Sequence, residues 1–186
     1  MRQEKIYISE YLKDDKNRNK ENYGIQPFNS LHSIIDLDLS SIKNHRRNVW
    51  CRDYMPINRK DGKLVQFKYV PSYMTSSEKW KNRIPDPEEI HRELNLDPIT
   101  SDIKLDGGAI EVYDDQAIVS DRVLRENDSK SISDVLNEIK QKLLLKKLIV
   151  VPEYPYDFTG HVDGMVRFID SETVLINREG KPKKKN

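Results

Sequence analysis

Three stretches of this chain follow one pattern, and the pattern limits what the chain can fold into. Asp53-Tyr-Met-Pro-Ile, a turn at Asp61-Gly62 and Lys63-Leu-Val-Gln-Phe make the first copy. Asp106-Gly-Gly-Ala-Ile-Glu-Val, a turn at Asp114-Asp115 and Ala117-Ile-Val-Ser make the second. Asp163-Gly-Met-Val-Arg-Phe-Ile, a turn at Asp170-Ser171-Glu172 and Thr173-Val-Leu-Ile-Asn make the third. The leading aspartates stand 53 and then 57 residues apart. Each copy reads as strand, hairpin and strand, and a helix follows the first two. Repeats of this length stack to bury a shared core, and units set around an axis bring equivalent positions to one centre. Strand-helix-strand units often look alike without sharing a site. An acid at the same point of all three copies favours a common one.

The remaining elements follow from local signals. Lys5 to Tyr11 alternates as a strand, residues 12–30 read as a polar loop, and Leu31 to Ile42 carries apolar positions that fit a short helix. Val49 to Ile57 and Leu64 to Val70 read as a strand pair. Asp86-Pro87-Glu88-Glu89 is a helix start, with an N-cap, proline at the first position and acids in the first turn, burying Ile90 and Leu94. Ile132, Val135, Leu136, Ile139 and Leu143 keep one helical face apolar. Leu148 to Val151 reads as a short buried strand, and Val166 and Phe168 should pair with Val174 and Ile176.

Composition excludes several partners. Charged residues are 34% and the net charge is +1, but Lys181, Lys183, Lys184 and Lys185 sit in the last six residues. Without those four the chain carries −3, so no basic face for nucleic acid is implied. No apolar run of signal-peptide or membrane-spanning type occurs, and one cysteine, Cys51, agrees with a reducing, cytoplasmic setting. Residues 179–186 read as a disordered basic tail behind one domain of residues 1–178.

The chemistry concentrates at Gly160-His161-Val162-Asp163-Gly164. On a strand His161 and Asp163 share a face, and the glycines let another group approach closely. Asp53, Asp106 and Asp163 at one mouth repel one another when ionised and ask for a cation. A guanidinium suits carboxylates in pairs, while a metal held by the acids and His161 is the other candidate. The sequence favours the organic cation. His32, His45 and His91 read as surface residues, and Arg52 and Arg167 as partners of neighbouring carboxylates.

Trp50-Cys-Arg-Asp-Tyr-Met-Pro56, Leu105-Asp-Gly-Gly108 and Gly160-His-Val-Asp-Gly164 together resemble three signatures of the agmatine deiminase and Porphyromonas-type peptidylarginine deiminase family. This is a family of the guanidine-modifying pentein superfamily. The resemblance runs from near residue 5 to near 177. It implies an α/β fold, a five-bladed pentein-type α/β propeller of ββαβ repeats. About three blades would be present, starting near residues 50, 104 and 160. It also implies that Asp53 and Asp163 bind the substrate guanidinium, and that His161 is the general acid/base, oriented by Asp106, where relatives usually carry glutamate. A cysteine thiolate attacks the guanidinium carbon, ammonia leaves, and water releases a ureido product. No cofactor or metal is required.

Two departures follow from the same comparison. Ala109 stands where the family often has asparagine or aspartate. The family's nucleophilic cysteine lies in a glycine-rich motif near the C-terminus, and this sequence has none, so the expectation is a C-terminally truncated deiminase, inactive alone. Cys51 belongs to the guanidinium-binding motif; as a strand residue two positions from Asp53 it would share that face. The expected partners are a small-molecule or peptidyl guanidinium and a C-terminal fragment or second copy that completes the propeller. The alternatives are a non-catalytic guanidinium-binding module, half of a split enzyme, or a metal-dependent hydrolase.

Overall fold

The computed structural model describes residues 48–177 in full, and the backbone of residues 5–9 and 38–42. Strand β1 (Lys5–Ser9) pairs in parallel with β2 (Asp38–Ile42), from Lys5 opposite Asp38 to Ser9 opposite Ile42. The predicted helix over Leu31 to Ile42 is therefore wrong at its end, where residues 38–42 are a strand: spacing alone does not separate helix from strand in so short a run, and the parallel pairing with β1 decides it. Its beginning, the loop at 12–30, His32, His45 and the tail at 179–186 lie outside the described residues.

Two three-stranded sheets then repeat one topology. Helical turn α1 (Cys51–Tyr54) leads into β3 (Ile57–Asn58) and β4 (Leu64–Lys68), an antiparallel hairpin. Two helices follow, α2 (Glu78–Lys81) and α3 (Pro87–Leu94), and β5 (Ile99–Lys104) returns parallel to β4. The second unit replaces the helical turn by a 3-10 turn at Gly107–Ala109. Strands β6 (Ile110–Tyr113) and β7 (Gln116–Ser120) form the hairpin, α4 (Arg122–Glu126) and α5 (Ile132–Leu143) the crossover, and β8 (Lys147–Val151) lies parallel to β7. The third hairpin is β9 (Val166–Phe168) with β10 (Val174–Ile176), which pair as expected; Val166 faces Ile176 and Phe168 faces Val174. Each hairpin is thus preceded by a turn that carries the aspartate. The predicted strand over Val49 to Ile57 is a helical turn at that point, because Pro56 stops any ladder until Ile57.

The helices form where their caps dictate. The Asp86 carboxylate accepts the Glu88 amide at 2.9 Å, Pro87 follows, and Asn95 closes the helix in a left-handed conformation. The Ser131 hydroxyl accepts the Asp134 amide at 3.1 Å, and Val135, Ile139 and Leu143 turn inward, fully buried. Each such side chain contributes about 1.5–3 kcal/mol of burial. They join Val65, Phe67, Ile103, Leu105, Ile110 and Val119 in one core spanning both sheets. Tyr54, Tyr69 and Ile90 form a second cluster beneath α1.

Strand β8 departs from expectation. It sits at the end of its sheet among the described residues and alternates between exposed and half-buried positions instead of being buried. His91 departs in the opposite sense: it is buried, with Nε2 3.0 Å from Gln66 Oε1. Its place on α3 beside Ile90 turns it toward β4, and burial pulls its pKa below 6.5. No helix among the described residues is long and apolar enough to cross a membrane.

Candidate active site

The site is assembled by three turns, one from each repeat. Asp53 lies on α1, which packs directly on the Gly107–Ala109 turn: a Cβ at Gly107 would collide with the Arg52 carbonyl. Gly108 is the floor. Its amide donates to Asp53 Oδ1 at 3.1 Å, and its carbonyl accepts the amides of Val162 and Asp163 at 2.9 and 3.1 Å. A Cβ there would strike both the Asp53 carboxylate and the His161 ring. One glycine therefore ties the second repeat to the first and the third.

His161 sits between two of the acids. Its Nδ1 is 3.7 Å from Asp53 Oδ1, and its Nε2 is 3.4 Å from Asp106 Oδ2. Burial alone would lower its pKa. The Asp106 hydrogen bond and the charges of Asp53, Asp106 and Asp163 outweigh that and raise it above 6.5. Asp53 shows the reciprocal effect. Burial, opposed by His161 and reinforced by Asp106 and Asp163, pushes it from 3.8 to about 6. Asp53 and His161 thus face each other with both pKa values raised, an arrangement suited to passing a proton within a site.

Asp163 is held differently. Its Oδ2 meets Arg52 Nε at 3.0 Å. The same guanidinium, through Nη2, reaches Glu111 Oε1 at 2.7 Å and the Ile110 carbonyl at 3.1 Å, and Arg167 Nη1 meets Glu111 Oε1 at 2.6 Å. Arg52 and Arg167 pair with carboxylates, as expected. His161 and Asp163 do not share a strand face; both lie in the turn before β9. That turn is shaped by Asp157, whose carboxylate accepts the Thr159 amide and hydroxyl at 2.9 and 2.6 Å and the His161 amide at 3.3 Å.

The structure adds residues that no motif marked. The Tyr73 hydroxyl donates to Asp106 Oδ2 at 3.1 Å and stands 3.4 Å from His161 Nε2. It comes from the excursion between β4 and α3, where the sequence shows no pattern. Asp157 did carry a signal, since aspartate two residues before threonine is an Asx-turn signature. Cys51 moves the other way. Two residues on a helical turn are about 200° apart, so Cys51 points away from Asp53. It packs beside Tyr54, Tyr69 and Ile90, with Sγ 3.1 Å from the Tyr54 hydroxyl. Both ring nitrogens of His161 face carboxylates, and among the described residues no three His, Cys, Asp or Glu side chains converge as a metal-ligand set.

A model of the family described as Porphyromonas-type peptidyl-arginine deiminase matches residues 5–186. No curated protein matches the chain. Among solved structures, the C. jejuni agmatine deiminase is 19% identical with TM-score 0.57, covering 79% of this chain and 46% of that one. The agmatine deiminase of Enterococcus faecalis is 17% identical with TM-score 0.57, covering 76% and 42%. A candidate arginine deiminase from Porphyromonas gingivalis is 21% identical with TM-score 0.58, covering 91% and 51%. The chain thus has a mixed α/β fold resembling deiminase structures and spans about half the length of these relatives.

Proposed function

The chain belongs to the Porphyromonas-type peptidyl-arginine deiminase family, and on that premise we propose that its three turns form the guanidinium-binding and acid/base part of a deiminase site. The observation that carries the reading is His161 standing between Asp53 and Asp106, 3.7 and 3.4 Å from them, with Asp163 beside the same floor. An ionised pair of carboxylates, Asp53 and Asp163, takes the planar cation. His161 moves the protons, and Asp106 orients it. The two ββαβ sheets and the third hairpin are then about three blades of a five-bladed propeller, residues 1–178 being a partial domain of it.

The reaction is hydrolysis of agmatine or a peptidyl-arginine side chain to its ureido form and ammonia. A thiolate adds to the guanidinium carbon, and imidazolium gives its proton to the departing nitrogen, which leaves as ammonia. The imidazole then takes a proton from water as the oxygen bonds to carbon, the carbon–sulfur bond breaks to expel the thiolate, and the proton left on the product oxygen passes to the released ammonia through solvent. Cys51 does not supply that thiolate, because it faces the Tyr54 cluster. The nucleophile comes from a segment or partner chain outside these 186 residues. The C. jejuni enzyme has been solved as a cysteine-to-serine form with substrate bound, which supports holding substrate by the rest of such a site.

The experiment is calorimetry of the folded chain with agmatine and with an arginyl peptide, beside an assay for released ammonia. Binding without turnover is the expected result. Absence of binding by either ligand at pH 7 sinks the proposal. A non-catalytic guanidinium-binding module is the second reading, favoured by the orientation of Cys51. Supplying the C-terminal half of a relative separates the two, since ammonia release then appears only in the enzyme reading.

A further inference from the structure

We propose that Tyr73 is a positioning residue for the Asp106–His161 pair, acting through a hydroxyl that joins carboxylate to imidazole and a ring that Arg122 holds in place. The inference rests on reading His161 as the proton-transfer group.

Three atoms close a triangle: the Tyr73 hydroxyl lies 3.1 Å from Asp106 Oδ2 and 3.4 Å from His161 Nε2, which are themselves 3.4 Å apart. The ring stands edge-on to His161, with centroids 5.9 Å apart, and edge-on to Phe158 at 5.7 Å. Arg122 Cζ lies 5.4 Å from the Tyr73 centroid. Its Nη2 donates to Ser72 Oγ at 3.1 Å, its Nη1 to the Phe158 carbonyl at 2.9 Å, and its Nε to Glu126 at 3.1 Å. Gly160, at φ 66°, packs so tightly on this arm that a Cβ would come within 2.6 Å of Arg122 Cδ and Glu153 Oε2. One guanidinium therefore grips the residue before Tyr73 and the segment before His161, and fixes the distance between them.

The chemistry suits a fixed donor. Burial, then the charges of Asp106, Tyr69 and Asp53, drive the Tyr73 phenol well above its ordinary range, so it cannot accept the His161 proton or give its own away. It donates to Asp106 and absorbs part of the charge that the imidazolium would otherwise receive. The groups facing His161 are Asp53 at Nδ1, Asp106 and Tyr73 at Nε2, Asp163 across the floor and Asp157 at its amide, with Arg122 and Glu153 behind Gly160. Deleting the hydroxyl leaves all these charges in place and hands the whole Asp106 carboxylate to His161.

The test is an NMR titration of the histidine rings in the full chain, with His161→Gln to assign the resonance. In Tyr73→Phe the His161 midpoint should rise by about half a unit, the worth of one hydrogen bond. Arg122→Lys, which loosens the ring but keeps the hydroxyl, should shift it the same way by less. A midpoint that stays or falls in folded Tyr73→Phe overturns the proposal. Should that variant not fold, an unmoved midpoint in Arg122→Lys overturns it. Agmatine binding, measured in parallel, reports separately on the guanidinium reading: its absence removes that reading and leaves the titration to decide Tyr73.

Discussion

Arg52 Nε lies 3.0 Å from Asp163 Oδ2, so the acid heading the third repeat is already paired with a guanidinium from the first. The same arginine reaches the buried Glu111, whose side chain is only 5% exposed. Arg52→Gln leaves Glu111 to Arg167 alone. Because Arg52 is itself 42% exposed, the cost should be modest, about 1–2 kcal/mol by urea denaturation. If Arg52 holds Asp163 in its binding orientation, agmatine affinity falls by about tenfold in the variant. Tighter binding would show instead that Arg52 competes with the ligand.

Asp53 gives the site a pH dependence with a definite sign. Its folded pKa of about 6 exceeds the ordinary 3.8, so between those values the folded chain keeps a proton that the unfolded chain has lost. Stability therefore falls as pH rises through that window, and the cost persists above pH 6. His161, also raised, contributes stability that is full below 6.5 and lost as pH climbs through its folded value. Asp53→Asn should flatten the lower part of the profile and be more stable than the parent at pH 7 by about 2 kcal/mol, by thermal or urea melts. A steeper profile in the variant would refute the assignment.

Guanidinium binding needs Asp53 ionised, so it should release a proton. Agmatine affinity is expected to rise between pH 5 and 7, by at most about tenfold per unit below the Asp53 midpoint. Calorimetry in buffers of different ionisation enthalpy would detect the released proton. Affinity that is flat over this range would mean that Asp53 does not meet the ligand.

Much of this was legible in the residues. The repeat located the three hairpins because alternation and turn residues survive in each copy, and Val166 and Phe168 found their predicted partners. The cap at Asp86 is a local interaction and shows in the sequence for that reason. What failed was conformational. Asp53, Asp106 and Asp163 occupy turns before the hairpins, so reasoning from strand faces misplaced Cys51 and joined His161 to Asp163 too simply. Tyr73 reaches His161 across 88 residues of chain, and His91 turns inward to Gln66. Neither contact has a local signature, since both arise when separate units pack.

Gly108→Ala tests the floor directly. The added methyl would meet the Asp53 carboxylate and the His161 ring, neither of which can retreat without breaking its own contacts. Overpacking of this kind costs about 1–3 kcal/mol. The variant should remain folded, because the surrounding core of Leu105 and Ile110 is untouched, yet lose measurable agmatine binding. A Gly108→Ala chain with unchanged affinity would show that the three turns do not meet the ligand at this point.

Cys51 offers the sharpest separation of fold from chemistry. Its position beside Asp53 in sequence invites a nucleophilic role, but the helical turn sends it toward Tyr54, Tyr69 and Ile90, with the Tyr54 hydroxyl 3.1 Å from Sγ. A thiolate there would lie beside the Tyr54, Tyr69 and Ile90 cluster and away from the Asp53 carboxylate. Cys51→Ala should therefore cost about 1 kcal/mol of stability through lost packing. It should leave agmatine affinity and the His161 titration where they were. If the parent chain alone releases ammonia from agmatine and Cys51→Ala abolishes it while the spectrum stays native, α1 must reorganise to turn the thiol toward Asp53. The nucleophile would then lie within this chain after all.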